Sequence, residues 1–243
     1  CWYISVFCSR GFVIDYLEHL LRSWDMAIHS VIKPPESHEL TRPLEVLHQH
    51  LNSLYKACSI ERVTMPALIQ PFMDHLLAKR RKEATEYILS LLSGGMSIER
   101  LYADILTASL TTLGRLWQKN DINVVDVHVA TDICRYVMMR LADALPAAAT
   151  HPYKALITCV PGEEHEMGAE ILENYLEIKG WDMVSMGHIA PEEDILEAIQ
   201  QSTPDVILVS VILTAHLPAA KSLLQKIRRL APGCKLVVGG PAA

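Results

Sequence analysis

The segment Pro161-Gly162-Glu163-Glu164-His165-Glu166-Met167-Gly168 lies between an apolar run and an amphipathic one. A neutral imidazole is a good transition-metal ligand. A carboxylate two residues earlier can accept a hydrogen bond from the other ring nitrogen, fixing the tautomer and raising the basicity of the ligating nitrogen. His165 is therefore the candidate metal ligand and Glu163 its orienting partner. Gly168, three residues on, keeps the start of the next helix free of a side chain that would obstruct a bulky ligand. Two more pieces follow in order: Ser210-Val211-Ile212, separated from Gly168 by 41 intervening residues, and Gly239-Gly240, separated from Ile212 by 26. Taken singly, each has an ordinary alternative, a polar loop histidine or a turn after a strand. Their common register is what singles them out.

That register comes from the elements around them. From Pro146 onward the pattern alternates strand and helix as in a parallel doubly wound sheet. Strands are expected at 155–160, 183–186, 206–210 and 235–238. Helices are expected at 166–178, closed by Gly180, at 191–200, opened by Pro191 and acidic residues, and at 218–230. In such a sheet ligands bind beyond the carboxyl ends of the strands, at the topological switch point. All three pieces fall at such ends.

Upstream, four helices are expected at 67–77, 81–92, 98–117 and 124–145. Ser97 is a plausible N-cap, and Leu101, Ile105, Leu106, Leu110, Leu113 and Leu116 form a core stripe on the third helix. Short connections make this an antiparallel bundle. The expected fold class is α/β: a helical extension over 1–63, a four-helix-bundle cap over 64–148, and a Rossmann-like, flavodoxin-type sheet domain over 149–243. The extension carries amphipathic segments at 14–24 and 44–55 and no recognisable helix-turn-helix signature. His48 and His50, two apart, belong to different helix faces and read as surface residues. The chain begins without Met and stops after the fourth strand, so it reads as a fragment at both ends.

Composition sets the outer bounds. The net charge is -6 and half the residues are apolar. Basic residues are scattered apart from Lys79, Arg80, Arg81 and Lys82, so no extended face would neutralise a phosphate backbone, and direct nucleic-acid binding is not expected. No apolar run is long enough to span a membrane. The six cysteines form no CxxC pair, which points to a reducing, cytoplasmic setting.

With the motifs in place, the sequence resembles the cobalamin-binding signature D-x-H-x-x-G, S-x-L, G-G. Glu163 replaces Asp, lengthening the reach to the imidazole by one methylene, and Ile212 replaces Leu, keeping an aliphatic wall. The resemblance implies base-off binding, with the nucleotide tail off the cobalt and His165 as lower axial ligand. Ser210 would then hydrogen-bond the benzimidazole, Gly239 and Gly240 would admit the tail close to backbone, and Val211, Ile212 and Thr214 would line the slot. The bundle resembles the helical cap of cobalamin-dependent photoreceptors and antirepressors, whose signature is W-x9-E-H. Trp117 and His128 stand at the expected positions and should converge at one end of a hairpin. Val127 stands where Glu is usual, and Gln118 takes the place of the upper-face histidine ligand.

Three functions fit this plan. First is a sensor or regulator binding adenosyl- or methylcobalamin, light- or corrinoid-responsive, with little catalytic turnover. It would act through a protein partner such as a transcription regulator, with homo-oligomerisation possible. Second is the corrinoid subunit of a methyltransferase. Third is a haem sensor on the same scaffold.

Overall fold

A computed structural model describes residues 2–60, 63–146, 149–184 and 190–243. Ser185 and Met186, the end of the expected second strand, and the boundary at residue 148 lie outside the described residues. The chain divides into two compact units, residues 1–73 with 108–130 and residues 74–107 with 131–243.

In the first unit, three N-terminal helices, α1 (Trp2–Ser9), α2 (Ile14–Val31) and α3 (Glu36–Ile60), pack around Ile4, Leu17, Leu51 and Cys58. The α2 and α3 helices extend beyond the amphipathic segments expected at 14–24 and 44–55, and α1 was not expected. At eight residues, with no acidic first turn or basic last turn, α1 gives the sequence little helix punctuation. Its burial of Ile4 against the other two helices supplies what local propensity does not. The unit also holds α7 (Ala108–Gln118) and the first turns of α8 (Val124–Ala144).

The helices expected downstream of Pro66 are present. After α4 (Gln70–Leu77) and α5 (Arg81–Ser93), Gly94 and Gly95 end α5, and the Ser97 hydroxyl accepts from Arg100 N at 3.4 Å to cap α6 (Ile98–Arg100). The expected continuous helix over 98–117 instead passes through a π-helical stretch, Leu101–Thr107, before α7. Leu101, Tyr102, Ile105 and Leu106 are buried along this stretch. The Tyr102 hydroxyl donates to Asn174.

The sheet belongs to the second unit. Its strands β1 (Lys154–Cys159), β2 (Asp182–Val184), β3 (Val206–Ser210) and β4 (Lys235–Gly239) are all parallel, in the order β2-β1-β3-β4. Helix α9 (Met167–Ile178) covers one face through Ala169, against Ile157, Cys159, Met183 and Leu208. Helices α10 (Glu192–Ser202) and α11 (Leu217–Leu230) cover the other through Ile195, Ile199, Ala220, Leu223 and Ile227, against Leu156, Ile207 and Val209. Punctuation matches the sequence: Gly180 is left-handed (φ +88°), Pro191 precedes the acidic first turn of α10, and Pro218 stands in the first turn of α11. The chain leaves β1 toward β2 and β3 toward β4, on opposite sides. The crevice between the carboxyl ends of β1 and β3 is therefore the switch point.

The two glycines after β4 are held differently. Gly240 has φ +110°, and a Cβ there would lie 2.2 Å from the Val211 carbonyl oxygen; around Gly239 nothing lies within 4 Å of that position. Gly240→Ala should therefore lower stability by about 2 kcal/mol or more, and Gly239→Ala by less than about 0.5 kcal/mol. Urea denaturation midpoints check this, and equal losses would contradict it.

Candidate functional site

Local turn chemistry builds the site. After β1, Val160 accepts from Glu163 N at 3.0 Å, with Pro161 and a left-handed Gly162 (φ +85°) between them. Pro followed by a left-handed Gly is what a type II turn requires. The turn carries Glu163 back under the sheet edge, where it has no solvent exposure.

A buried carboxylate must have its acceptor sites filled, and five donors fill them here. Oε1 accepts from His165 Nδ1 at 2.5 Å and His165 N at 3.2 Å. Oε2 accepts from Ile212 N and Leu213 N, each at 3.0 Å, and from His216 Nδ1 at 2.9 Å. Glu163 thus joins the loop after β1 to the loop after β3 across the switch point. Burial pushes its pKa up, but the bonds from His216, His165, Leu213 and Ile212 outweigh that and hold it at about 2.

A carboxylate only accepts, so Nδ1 of both histidines carries the proton, and in the neutral ring that tautomer places the lone pair on Nε2. The His165 side chain is 57% exposed, and its Nε2 is available to a metal. With both Glu163 oxygens engaged, the pair offers a single donor. Among the described residues no group of three or more His, Cys, Asp or Glu could hold a metal ion. One oriented imidazole is too few ligands for a bare ion but suits a metal whose equatorial positions a macrocycle already fills.

The remaining candidates sort by face. Ser210 pairs with Cys159 on one side and Gly239 on the other, and Leu208 pairs with Val237. Side chains alternate along a strand, so Ser210 and Gly239 share the α9 face with Leu208. There Val237 is 48% exposed, and the Cβ positions of Gly168 and Gly239 are open. Ile212 and Ser210 are half-buried, and Thr214, in the 3-10 turn Thr214–His216, is exposed. Val211 turns the other way, into the core beside Leu223 and Ile227. Its N donates to Gly239 O at 2.8 Å, tying the second and third motifs together.

Two residues escaped the sequence reading. His216 is the second imidazole on Glu163; the signal was a further histidine in the switch-point loop, six residues after Ser210. Arg135 of α8 grips Glu170 with two bonds of 2.7 Å and reaches Glu166, next to His165, at 2.9 Å. Its contacts with Glu170 raise its pKa further. No sequence signal linked α8 to that loop.

Trp117 and His128 belong to the first unit. Trp117, next to the last residue of α7, is half-buried, and His128 is exposed in the second turn of α8. Between these helices runs the loop 119–123.

Comparison with known proteins gives a B12 binding domain over residues 153–243 and a second B12 binding domain model over residues 68–142. The chain is 30% identical over 122 residues to the HTH-type transcriptional repressor CarA of Myxococcus xanthus, covering 50% of this chain and 42% of that protein. It is 26% identical to CarH of the same organism, covering 59% and 48%. It spans less than half the length of both. A dimethylamine corrinoid protein of Methanosarcina barkeri is 22% identical, covering 72% of this chain and 84% of that one. The solved monomethylamine corrinoid protein of Methanosarcina barkeri shares the fold at a TM-score of 0.59 and 16% identity, covering 71% and 83%.

The Glu163 carboxylate is ionised in the folded state down to about pH 2, against an ordinary value of 4.5. Its contribution is thus complete above about pH 4.5 and lost as pH falls toward 2, on the order of 3 kcal/mol in all. Urea unfolding of Glu163→Gln between pH 7 and pH 2 should show a large loss at neutral pH that shrinks in acid. A gap that stays constant over that range would contradict the assignment.

Proposed function

We propose that this chain, which belongs to the B12 binding domain family over residues 68–142 and 153–243, is a cobalamin-binding sensor that acts through a protein partner. The observation that carries the reading is the Glu163 hub, which orients His165 and leaves its Nε2 free at the switch point. In this reading His165 is the lower axial ligand in a base-off state, with Glu163 and His216 fixing its tautomer. Ser210, Ile212, Gly168 and Gly239 border the slot for the nucleotide tail, while Trp117 and His128 serve the upper face. When bound, cobalamin supplies a cobalt–carbon bond that light can break, or a methyl group that can be transferred.

Similarity to two repressors supports a regulatory role. A net charge of -6 disfavours direct contact with a phosphate backbone, which leaves a protein partner as the route of action. No helix among the described residues is long and apolar enough to cross a membrane. The carrier subunit of a methyltransferase is the second reading, favoured by the 84% coverage of a dimethylamine corrinoid protein. The two differ at the upper face: a carrier must expose it for each transfer, whereas a sensor gains from keeping the alkyl group shielded until the bond breaks.

With histidine nitrogen labelled, the electron paramagnetic resonance spectrum of cob(II)alamin-loaded protein should show coupling to a protein nitrogen, absent in His165→Ala. Glu163→Gln should weaken binding about 10- to 100-fold. Coupling that persists in His165→Ala would overturn the lower-ligand assignment. Illumination of methylcobalamin-loaded protein should release the alkyl group and change size or partner affinity. Dark demethylation at enzyme-like rates by an added methyltransferase and acceptor would instead establish the carrier reading.

A further inference from the structure

The N-terminal helix reaches the tryptophan that carries the cap signature, although both B12 models begin beyond it, at residues 68 and 153. The Trp2 indole stacks on that of Trp117, centroids 5.9 Å apart and planes inclined by 29°. The Arg10 guanidinium carbon lies 4.8 Å from the centre of the same ring. Ser9 Oγ donates to Gln118 O at 2.7 Å, and Lys119 Nζ donates to Cys58 O at 2.7 Å. Three consecutive residues, 117 to 119, are thus tied to α1 and α3. On its other side α1 is anchored by Ile4, only 6% exposed, among Leu17 and Leu51.

A tryptophan at a helix end normally samples several rotamers. Here one ring stacks on it and one cation lies over it, the ring from α1, which is fixed in its own core, and the cation from the residue directly after that helix, so the plane of the indole is set. The upper-face role of Trp117 depends on that plane, because it decides how much room a large axial group finds. We infer that Trp2 and Arg10 are positioning residues for Trp117, and that they make the N-terminal layer, residues 2–60, part of the machinery discriminating between upper axial ligands. This rests on the cobalamin reading above and extends it to a segment outside both family models.

The test is the ratio of dissociation constants for adenosylcobalamin and hydroxocobalamin, whose upper ligands differ greatly in size. It is measured in the dark on the full chain and on Trp117→Ala, Trp2→Ala, Arg10→Gln, Arg10→Lys and the Trp2→Ala/Trp117→Ala pair. Trp117→Ala should change the ratio at least threefold. Trp2→Ala and Arg10→Gln should change it in the same direction, Arg10→Lys should retain most of the wild-type value, and the double variant should match Trp117→Ala alone. General loosening of the fold would weaken both cobalamins together and leave the ratio unmoved. Arg10 is exposed, so Arg10→Gln keeps the test decisive if Trp2→Ala does not fold. If Trp117→Ala moves the ratio while Trp2→Ala and Arg10→Gln do not, the positioning role is wrong and the cobalamin reading stands. A wild-type chain that binds neither cobalamin would refute that reading itself.

Discussion

Glu163 is a carboxylate without solvent contact, and burying a charge is unfavourable unless the protein supplies donors in place of water. Here two imidazoles and three backbone N–H groups do so, drawn from two loops that leave the sheet on opposite sides. None of these donors can be displaced without leaving a buried charge short of a partner. The loops after β1 and β3 are therefore held at one separation, and His165 is fixed in one tautomer. Glu in place of Asp matters in this setting. One carboxylate oxygen meets His165 while the other meets Ile212, Leu213 and His216, so the extra methylene extends the side chain's reach across the crevice.

The hub in turn requires the turn that delivers it. A side chain other than hydrogen at Gly162 would strain the left-handed backbone between Val160 and Glu163, and Pro161 sets the preceding φ. From the other end of the loop, Arg135 fixes Glu166 and Glu170 at the start of α9. His165 thus lies between a buried anchor two residues before it and an ion-paired one directly after it, yet its ring is more exposed than buried. Rigid attachment with an accessible Nε2 is the arrangement expected of an axial ligand.

Much of this was legible because local rules and long-range rules agreed. Strand alternation, Gly180, Pro191 and Pro218 placed the sheet domain's elements, and the spacing of Glu163-His165-Gly168, Ser210 and Gly239 put them at neighbouring strand ends. What could not be read depended on tertiary contacts. Helix α1 exists through packing of Ile4, since nothing in its eight residues marks its ends. The π-helical turn at Leu101–Thr107 has no local mark, since the apolar spacing there is what an α-helix would also show. His216 joins the site only because a short 3-10 turn brings it back to Glu163, and sequence distance gives no measure of that.

The glycine pair separates two kinds of constraint that a motif merges. Gly240 is required by the chain itself, because its left-handed backbone passes so close to the Val211 carbonyl that no side chain fits. That contact belongs to the same strand-end packing in which Val211 N donates to Gly239 O and Ala242 N donates to Val211 O. Gly239 is under no such demand, since the space beside it is empty and opens on the strip shared with Ser210 and Val237. Backbone geometry demands glycine at position 240 and not at position 239. Gly239 belongs to the motif by position instead: it ends β4, pairs with Ser210 and shares with it the face that α9 covers.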